Sequence, residues 1–505
     1  MSRRSSMSGN IGIGSWIVRR ARMHPERTAL VFGAQRWSYR ELAARVVRVA
    51  HALSARGVRV GDRVAYLGHN HPAALETLFA CGLLGAVWVP VHPGFEDETI
   101  AGMLERAEPT VLVSGPGLGA KVERVRRPVP TARVLEVTDD ANQPSSYEAA
   151  LAEAADTPID RAVGLDDLAI LAFSSGTTGA SKGVVLTHGN LLFNALNVGS
   201  ALALRRDDTL LASAPLYRMG GLGFLLPVWR EGGAVVLVRE DGEQGSLETI
   251  ARHRVTILFD TVTAFERMRR APSFASADLS SLRVCMTGGS PVSEDLLHAF
   301  GARGVDLRQG YGLTEAAPVV LISDHDDAPT ATSAGCPPMF TEIRIVDAAL
   351  ADLPAGCAGE LLVRGPQVSP GYWRAPEATA RAFAPGGWLR TGDVAVADDA
   401  GRISILGRLA DTLVLDGASV HPGPLEAELS ASCVADCALV QPRAEDRPVL
   451  FVAWGARPSA PDRVLEVVHA HLGTRWAPAV REMEAVPRNA NGKVLRASLR
   501  ALAGA

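Results

Sequence analysis

Residues 168–183 read LAILAFSSGTTGASKG, a short apolar run followed by a loop of serine, threonine, glycine and one lysine. Consecutive apolar residues ahead of turn-forming residues predict a buried strand that ends at the loop. Glycines let the backbone curl, so amides and hydroxyl groups can point at phosphate oxygens, and the lysine adds a positive charge. The residues predicted to bind phosphate are Ser174, Ser175, Gly176, Thr177, Thr178, Gly179 and Lys182.

The spacing within this loop differs from that of a Walker A P-loop. Ser181 stands where the Walker A pattern has its second glycine, and Gly183 follows the lysine in place of serine or threonine. These two departures disfavour a P-loop kinase or GTPase.

On both sides of the loop, from residue 25 to about residue 330, short β-branched apolar runs alternate with helical patterns. This alternation predicts an α/β domain of layered, mostly parallel sheets covered by helices on both faces. From residue 342 short strand-like segments divided by turn residues predict a small antiparallel β subdomain.

A domain boundary is predicted near Gly407-Arg408. The residues beyond it form a compact α/β pattern, with one helix expected from Pro424 and another from Pro461. The chain therefore predicts a large domain followed by a small one.

Composition narrows the classes of protein. The chain has 505 residues, 47% of them hydrophobic and 21% charged, as expected of a multidomain globular protein. A net charge of −4 without a basic block argues against a nucleic-acid binder. Six scattered cysteines without C-x-x-C pairs predict a reducing, cytoplasmic location. The longest apolar run, residues 78–91, contains Pro90 and is too short to predict a membrane span.

A second stretch, QGYGLTE at residues 309–315, carries groups suited to a nucleotide and a metal ion. Tyr311 stands between two glycines and is free to lie flat against a base. Thr314 can donate to an α-phosphate, and Glu315 offers a hard oxygen ligand to Mg²⁺. Asp393 lies in a turn after an apolar strand, where its carboxylate could accept both hydroxyls of a ribose.

Taken in order along the chain, these motifs resemble those of the adenylate-forming superfamily of acyl-CoA synthetases, luciferases and peptide-synthetase adenylation domains. The matching segments are residues 37–42 (WSYREL), 85–90 (GAVWVP), 174–183, 309–315, 390–393 (RTGD) and 487–493 (PRNANGK). Each segment alone is a weak signal, whereas the ordered set extends over nearly the whole chain and is highly specific.

The resemblance implies an acyl-CoA ligase that activates a carboxylic acid with ATP and Mg²⁺, forms an acyl-adenylate (acyl-AMP) and transfers the acyl group to coenzyme A. Lys493, one of only three lysines, is then expected to neutralise charge between carboxylate and α-phosphate. The same resemblance implies a large domain of residues 1–407, a hinge at residues 408–411 and a lid of residues 412–505 that rotates about Asp411. The expected partners are the acid and coenzyme A, with a homodimer as a candidate assembly.

By this resemblance the site residues fall into three further groups. The adenine and ribose site comprises Gly289, Ser290, Pro291, Gln309, Gly310, Tyr311, Gly312, Asp393 and Arg408. The acyl pocket comprises Tyr217, Arg218, Gly220, Gly221, Phe259, Thr263 and Gly288. The loop on the coenzyme A side comprises Gly417, Ala418 and Ser419. The glycines of the acyl pocket leave space for a bulky acid, as specialised metabolism such as antibiotic biosynthesis uses.

Two departures from the family pattern affect different half-reactions. Arg218 stands where the family usually has histidine beside the acyl pocket, and Ala418 stands where larger polar residues are frequent. An arginine is always charged, so it can alter acyl binding or the geometry of adenylation. Two alternatives therefore stay open: an enzyme that only converts preformed acyl-AMP into the thioester, and an enzyme that only adenylates.

A different class of enzyme is indicated by GPGLGA at residues 115–120, which follows a strand, opens a helix and precedes Glu136 at the end of the next strand. Taken alone, this dinucleotide fingerprint predicts an NAD-dependent oxidoreductase. Pro116 and the complete set of adenylation motifs favour a structural turn instead.

Overall fold

The structure is a computed structural model that describes residues 9–140, 145–174, 182–239, 243–323, 330–416, 418–443, 446–454, 461–488 and 494–504. Within these ranges the strands are β1 (Thr28–Phe32), β2 (Gln35–Ser38), β3 (Arg63–Leu67), β4 (Val87–Val91), β5 (Val111–Ser114), β6 (Arg133–Glu136), β7 (Leu168–Ser174), β8 (Lys182–Thr187), β9 (Thr209–Ala212), β10 (Ala234–Leu237), β11 (Ile257–Thr261), β12 (Val284–Gly288), β13 (Leu307–Gly312), β14 (Val319–Ile322), β15 (Glu342–Val346), β16 (Gly359–Arg364), β17 (Gly371–Tyr372), β18 (Phe383–Ala384), β19 (Trp388–Ala397), β20 (Ile403–Arg408), β21 (Leu413–Leu415), β22 (Ala418–Val420), β23 (Asp436–Val440), β24 (Val449–Ala453) and β25 (Ala479–Glu482).

The helices in the same ranges are α1 (Ser15–Met23), α2 (Tyr39–Ala55), α3 (Pro72–Leu84), α4 (Asp97–Ala107), α5 (Gly119–Val125), α6 (Ser146–Glu153), α7 (His188–Ala201), α8 (Met219–Glu231), α9 (Glu243–His253), α10 (Val262–Arg270), α11 (Glu294–Gly301), α12 (Pro376–Ala382), α13 (Pro422–Ser432), α14 (Pro461–Leu472) and α15 (Arg496–Ala503). Short 3-10 turns cover Pro272–Ala275, Thr314–Ala316, Leu409–Asp411 and Thr474–Trp476.

Two large sheets make up most of the described chain. The first has the order β14-β13-β12-β11-β9-β10-β1-β2, and only its edge strands β14 and β2 run antiparallel to their neighbours. The second has the order β17-β8-β7-β4-β3-β5-β6, with β7 to β6 parallel and the β8 and β17 end antiparallel. The predicted layered, mostly parallel α/β architecture is confirmed.

Helix α3 lies at the centre of the main hydrophobic core, and every one of its residues is buried. Buried side chains of both large sheets, among them Trp88 and Leu210, belong to the same core as the apolar residues of α2, α3, α7 and α8. Because every residue of α3 is buried and residues of both large sheets belong to the same core, α3 is covered on all sides.

Residues 78–91, the longest apolar run, form the end of α3 and strand β4. Gly85 caps the helix in the left-handed conformation, with φ at +65°, and the chain turns directly into the strand. In the part of the chain that the structure describes, no helix is long and apolar enough to cross a bilayer.

The segment 115–120 forms the connection between β5 and the first residues of α5, in which Gly117 has a φ of +75° with open space around it. A Cβ atom on Gly115 would lie 2.9 Å from Cα of Gly68, and one on Gly119 would lie 2.5 Å from Oε1 of Glu136. Close packing against backbone explains Gly115 and a positive φ explains Gly117, so neither glycine requires a dinucleotide.

A third sheet, antiparallel throughout, contains β15-β16-β19-β18 with β20 paired to β19, as the sequence predicts. Strand β20 continues through Arg408. The chain thus leaves this sheet only at the 3-10 turn Leu409–Asp411.

The last part of the described chain has its own small cores, built from β21 to β25 and helices α13 to α15. Helix α14 begins at Pro461 as predicted. Helix α13 begins at Pro422 instead of Pro424; since proline lacks only an amide that the first helical turn does not use, both prolines fit that turn.

Candidate active site

The predicted phosphate loop joins two neighbouring antiparallel strands. Ser174 ends β7, Lys182 begins β8, and the two residues are directly paired across the ladder. The remaining predicted loop residues, Ser175, Gly176, Thr177, Thr178 and Gly179, lie outside the described residues. The ends of the loop are therefore held together by the sheet.

Tyr372 links this loop to the predicted metal residue. The Nζ atom of Lys182 lies 5.2 Å from the centre of the Tyr372 ring, a cation–π distance. The hydroxyl of Tyr372 donates to Oε1 of Glu315 at 2.9 Å. Burial, followed by the charge of Glu315, raises the pKa of Tyr372, so the phenol stays protonated and keeps donating at neutral pH.

Glu315 lies in the 3-10 turn that Thr314 begins. The backbone amide of Ser369 donates to the Glu315 carbonyl at 2.7 Å, which fixes the turn against the neighbouring chain. No group of three or more His, Cys, Asp and Glu side chains in the described ranges is placed to hold a metal ion. The single carboxylate of Glu315 is of the kind that binds Mg²⁺, an ion commonly held by one or two carboxylates together with substrate phosphates.

Tyr311, Asp393 and Arg408 form a chain of polar contacts. The Tyr311 hydroxyl donates to Oδ2 of Asp393 at 2.5 Å, and Nε of Arg408 lies 3.0 Å from Oδ1 of Asp393. Asp393 is only 7% exposed. An ionised carboxylate accepts several hydrogen bonds at once, so Asp393 is the kind of group that binds the two hydroxyls of a ribose. Burial and the neighbouring Asp393 charge raise the pKa of Tyr311 well above its ordinary value.

Gly288, predicted for the acyl pocket, and Gly312, predicted for the nucleotide site, both lie where strands approach closely. A Cβ atom on Gly288 would lie 2.9 Å from the Gly310 carbonyl oxygen, and one on Gly312 would lie 2.0 Å from the Pro318 carbonyl oxygen. Gly289 has a φ of +88° with open space around it, and it leads into the exposed Ser290 and Pro291.

Gln309 takes a different orientation from the other residues assigned to the adenine site. Its side-chain amide lies within hydrogen-bonding distance of the carbonyls of Thr330, Ala331 and Ser333, and the residue is 8% exposed. The side chain therefore anchors the segment that begins at residue 330.

Most residues predicted for the acyl pocket surround the start of α8. A Cβ atom on Gly220 would lie 3.2 Å from the Phe259 ring, and one on Gly221 would lie 2.8 Å from the Pro215 carbonyl oxygen. The rings of Phe224 and Phe259 are stacked, with centroids 3.9 Å apart and planes 8° apart. Gly288 lies beside the same Phe259 ring. Thr263, in the first turn of α10, is exposed.

Arg218 immediately precedes α8 and contacts an aromatic group. Its Nε donates to the Tyr217 hydroxyl at 3.0 Å. The Tyr217 ring is stacked on His92, with centroids 4.3 Å apart, and meets the edge of Phe95. The guanidinium is thus oriented by a side chain that is itself held in place, and a fixed positive charge lies at the pocket.

The predicted hinge residue contacts the last helix. Asp411 accepts a hydrogen bond from Arg500 at 2.6 Å and pairs with Arg496 at 3.3 Å, both in α15. Ala418 and Ser419 are exposed in β22, whereas Gly417 and Lys493 lie outside the described residues.

A family model of AMP-binding enzymes matches residues 17–373. The chain belongs to the family of AMP-binding enzymes. A feruloyl-CoA synthase from an Amycolatopsis species is 39% identical over 97% of this chain and 99% of its own length. The indoleacetate–CoA ligase of Aromatoleum aromaticum is 34% identical over 97% of this chain and 98% of its own.

Solved structures of AMP-binding enzymes share this fold along almost the whole chain. ATP-bound MatB from Rhodopseudomonas palustris has a TM-score of 0.90 and 28% identity, covering 98% of this chain and 99% of that one. The anthranilate CoA ligase AuaEII in complex with anthranoyl-AMP has a TM-score of 0.90 and 25% identity, covering 98% of each chain. The predictions of an adenylate-forming fold and an acid–thiol ligase that uses ATP, Mg²⁺ and coenzyme A are confirmed.

Several residues near the site of this AMP-binding enzyme lie outside the sequence motifs and were not predicted. Phe224 and Tyr372 contact predicted site residues, as described above. Asp260, next to Phe259, is buried and accepts hydrogen bonds from the Ser213 hydroxyl at 2.6 Å and the Thr261 amide at 2.7 Å. Burial raises the pKa of Asp260. For Tyr372 the sequence offers one weak signal: the chain has only six tyrosines, and this one directly follows a glycine, Gly371.

Proposed function

We propose that the protein converts a flat aromatic carboxylic acid into its coenzyme A thioester and catalyses both half-reactions. The observation that carries this proposal is the stacked pair Phe224 and Phe259 beside Gly220 and Gly221. Aromatic rings pack favourably against other rings, so Phe224 and Phe259 favour an acid with a planar ring over one with a flexible chain; Gly220 and Gly221 allow the close packing of α8 against Phe259 and Pro215. Feruloyl-CoA synthase, indoleacetate–CoA ligase and anthranilate CoA ligase, by their names, act on acids with aromatic rings, which supports the same substrate class.

In the first half-reaction a carboxylate oxygen of the acid bonds to the α-phosphorus of ATP. The bond from the α-phosphorus to the bridging oxygen breaks, and pyrophosphate leaves with the electron pair. Thr314 donates to the α-phosphate, while Lys182 and the phosphate loop hold the leaving group. Lys493 offsets the repulsion between the carboxylate and the α-phosphate. Glu315 would hold Mg²⁺ together with phosphate oxygens, and the ion would supply positive charge that offsets the phosphate charge.

The nucleotide is positioned by the chain of contacts that ends at Asp393. Its carboxylate accepts the ribose hydroxyls, and Arg408 holds that carboxylate and reaches the same sugar. Tyr311 lies against the adenine, beside the backbone of residues 288–291. Positioning of this kind lowers the barrier because the reacting groups need no further ordering.

Arg218 supplies a permanent charge at the acid site. Because a guanidinium stays protonated at all working pH values, Arg218 attracts the acid as its carboxylate. Its contact with Tyr217 fixes the direction of that attraction. This residue therefore favours capture of the acid rather than loss of the first half-reaction.

In the second half-reaction the thiol of coenzyme A attacks the acyl-adenylate carbonyl and AMP leaves. We place the large domain at residues 1–407, the hinge at residues 408–411 and the lid at residues 412–505. Rotation about Asp411 withdraws Lys493 and brings Gly417, Ala418 and Ser419 to the acyl group. The small side chains of this loop leave room for the pantetheine arm.

The test is a panel of acids in two arms. In the first arm, ferulate, indole-3-acetate, anthranilate and hexadecanoate are incubated with Mg-ATP and coenzyme A, and AMP, pyrophosphate and thioester are quantified. We expect at least one aromatic acid to exceed hexadecanoate in kcat/KM by on the order of 100-fold. Equal use of hexadecanoate would contradict the aromatic pocket.

The second arm replaces acid and ATP with the synthetic adenylate of the preferred acid. Thioester in both arms supports the complete two-step reaction. Thioester from the adenylate alone would leave only the second half-reaction, and AMP without thioester in either arm would leave only adenylation.

A further inference from the structure

Lys121, in α5, binds the loop that joins β4 to α4. Its ammonium donates to the carbonyl oxygens of Pro93 at 2.5 Å and Phe95 at 3.0 Å. The same group lies 3.3 Å from Oδ1 of Asp97, the first residue of α4. An ammonium has three donors, and these three oxygens use all of them. Lys121 thus fastens the loop to α5.

The presence of lysine at this position is informative because the chain has only three lysines. The donors of an arginine side chain are spread over a planar fork, whereas an ammonium on a flexible stem is a compact group with three rotatable donors. Two carbonyl oxygens and one carboxylate oxygen that converge on a single point therefore favour lysine. The Lys121 side chain is 20% exposed, so most of its stem is packed against the protein.

The loop carries two rings that hold Tyr217, a residue predicted for the acyl pocket. The ring of His92 stacks on that of Tyr217, with centroids 4.3 Å apart and planes 29° apart. Phe95 meets the edge of the Tyr217 ring at 5.6 Å. The carbonyl that follows His92 in the chain and the carbonyl of Phe95 itself are the two that Lys121 binds. The position of both rings therefore depends on Lys121.

The backbone before Tyr217 is held by a different residue. The side-chain amide of Asn70 donates to the Ala214 carbonyl at 3.1 Å, and its Oδ1 accepts from the Leu216 amide at 2.8 Å. Contacts with the backbone do not set the rotation of the Tyr217 ring. The orientation of that ring is therefore set by the loop that Lys121 fastens.

We propose that Lys121 is a positioning residue for the carboxylic acid. It fixes the loop of residues 92–97, and the rings of this loop orient Tyr217. The Tyr217 hydroxyl, which accepts from Nε of Arg218 at 3.0 Å, then directs the guanidinium at the acid. The inference deepens the proposed function and rests on the role given there to Arg218. Lys121 acts through the loop and is assigned no contact with the acid.

The test compares Lys121→Met with the wild-type protein and with Arg124→Gln. Methionine keeps a long unbranched side chain and removes the three donors. Arg124 is a matched control on the same helix, because its Nε donates to the other carboxylate oxygen of Asp97 at 2.7 Å and its Nη1 donates to the Ala120 carbonyl of its own helix. Both variants therefore lose a cation beside Asp97, and Lys121→Met alone loses the bonds to the loop carbonyls.

Steady-state kinetics give the first readout. Lys121→Met should raise KM for the acid about fivefold. KM for ATP and the rate of thioester formation from the synthetic adenylate should stay within about twofold of wild type, because in the adenylate the acyl group is already joined to AMP. Arg124→Gln should keep the wild-type KM for the acid. A wild-type KM for the acid in Lys121→Met would overturn the proposal, even if its unfolding temperature is lower, because a structural role alone would give that result.

A double variant tests the route through Tyr217. In a Tyr217→Leu background, Lys121→Met should raise KM for the acid no further, since the ring that transmits the effect is absent. A second rise of about fivefold in this background would overturn the proposal.

Hydrogen exchange tests the first step without turnover. The amides of residues 94–97 should exchange faster in Lys121→Met than in the wild type, and Arg124→Gln should leave their exchange unchanged. Equal exchange in Lys121→Met and the wild type would overturn the proposal, whether or not any acid is adenylated. Failure of the proposed function has a different signature, namely no AMP from any acid.

Discussion

Tyr372 is the side chain through which two distant motifs meet. Its ring makes a cation–π contact with the ammonium group of Lys182, and its hydroxyl donates to Glu315, which lies 57 positions earlier in the chain. Neither motif contains it. At the level of single residues, the arrangement of the phosphate and metal groups therefore depends on a tyrosine that carries no reactive function of its own.

Tyr372→Phe tests this positioning role because it removes the hydroxyl and keeps the ring. We expect the Mg²⁺ concentration for half-maximal adenylation to rise about tenfold, since a hydrogen bond to a charged carboxylate is lost. Calorimetric binding of a non-hydrolysable ATP analogue should weaken in the presence of Mg²⁺ and change little in EDTA.

The matched control for this experiment is Tyr39→Phe. The Tyr39 hydroxyl is buried and donates to the Gly233 carbonyl at 2.6 Å, far from the site in sequence. This variant should lose about 1 kcal/mol of stability and keep the wild-type Mg²⁺ requirement. A purely structural role for Tyr372 would give the same pattern as Tyr39.

Arg218 predicts a pH effect that appears only when it is replaced. In the wild type its charge is constant, so this residue adds no pH dependence to KM for the acid. In Arg218→His the new side chain has a pKa of about 6.5 and is charged only below that value. KM for the acid should therefore rise as pH increases from 5.5 to 8.5 in the variant, and Arg218→Lys should show no such rise. Identical profiles for Arg218→His and wild type would contradict a contact with the acid.

Among the elements, α8 shows how close packing fixes the acyl pocket. A Cβ atom on Gly223 would lie 2.2 Å from Cδ of Pro318, so the helix touches the chain that follows Glu315. The start of α8 carries the pocket glycines. Packing at position 223 therefore sets the distance between the acid site and the nucleotide site.

Gly223→Ala should destabilise the protein by about 2 kcal/mol because the added methyl overpacks this contact. Thermal unfolding of the variant should begin several degrees lower than in the wild type, and KM for the acid should increase. Gly102→Ala, at a helical position whose Cβ would meet only the end of Arg106 at 3.8 Å, should instead stabilise the protein by about 0.5–1 kcal/mol. An unchanged unfolding temperature for Gly223→Ala would show that α8 can shift without loss of stability.

The elements themselves were largely predictable, because hydrophobic periodicity marks strands and helices locally. The alternating runs before residue 330 and the antiparallel pattern after residue 342 gave the correct sheets. Contacts between elements that are distant in the chain produce no local pattern in the sequence. The Tyr311 and Asp393 pair joins residues 82 positions apart. The hydrogen bonds of the buried Gln309 amide to the carbonyls of Thr330, Ala331 and Ser333 likewise depend on packing that a motif does not encode.

At the scale of the whole molecule, the proposed rotation of the lid brings different lid residues to the active site in the two half-reactions. Lys493→Ala should lower adenylation by at least about 100-fold, because the charge that offsets carboxylate and phosphate repulsion is lost. Thioester formation from the synthetic adenylate should stay within about twofold of wild type if the lid carries this residue away from the site.

Arg488→Ala provides the control within the same segment of the chain. Arg488 pairs with Asp436 at 2.7 Å within the last part of the chain and belongs to no proposed site. Its variant should retain both half-reactions. If Lys493→Ala lowered the rates of adenylation and thioester formation equally, the proposal that the lid adopts a different position for each half-reaction would be contradicted.

The pairing of Asp393 with Arg408 has a practical consequence for cutting the protein into parts. Asp393 is 7% exposed in the whole chain, and a fragment that ends at residue 407 loses the guanidinium that balances its charge, which is costly for a carboxylate with little access to water. Extending the fragment through the turn Leu409–Asp411 retains Arg408 at the end of β20. An isolated large domain intended for nucleotide binding should therefore be truncated after Asp411.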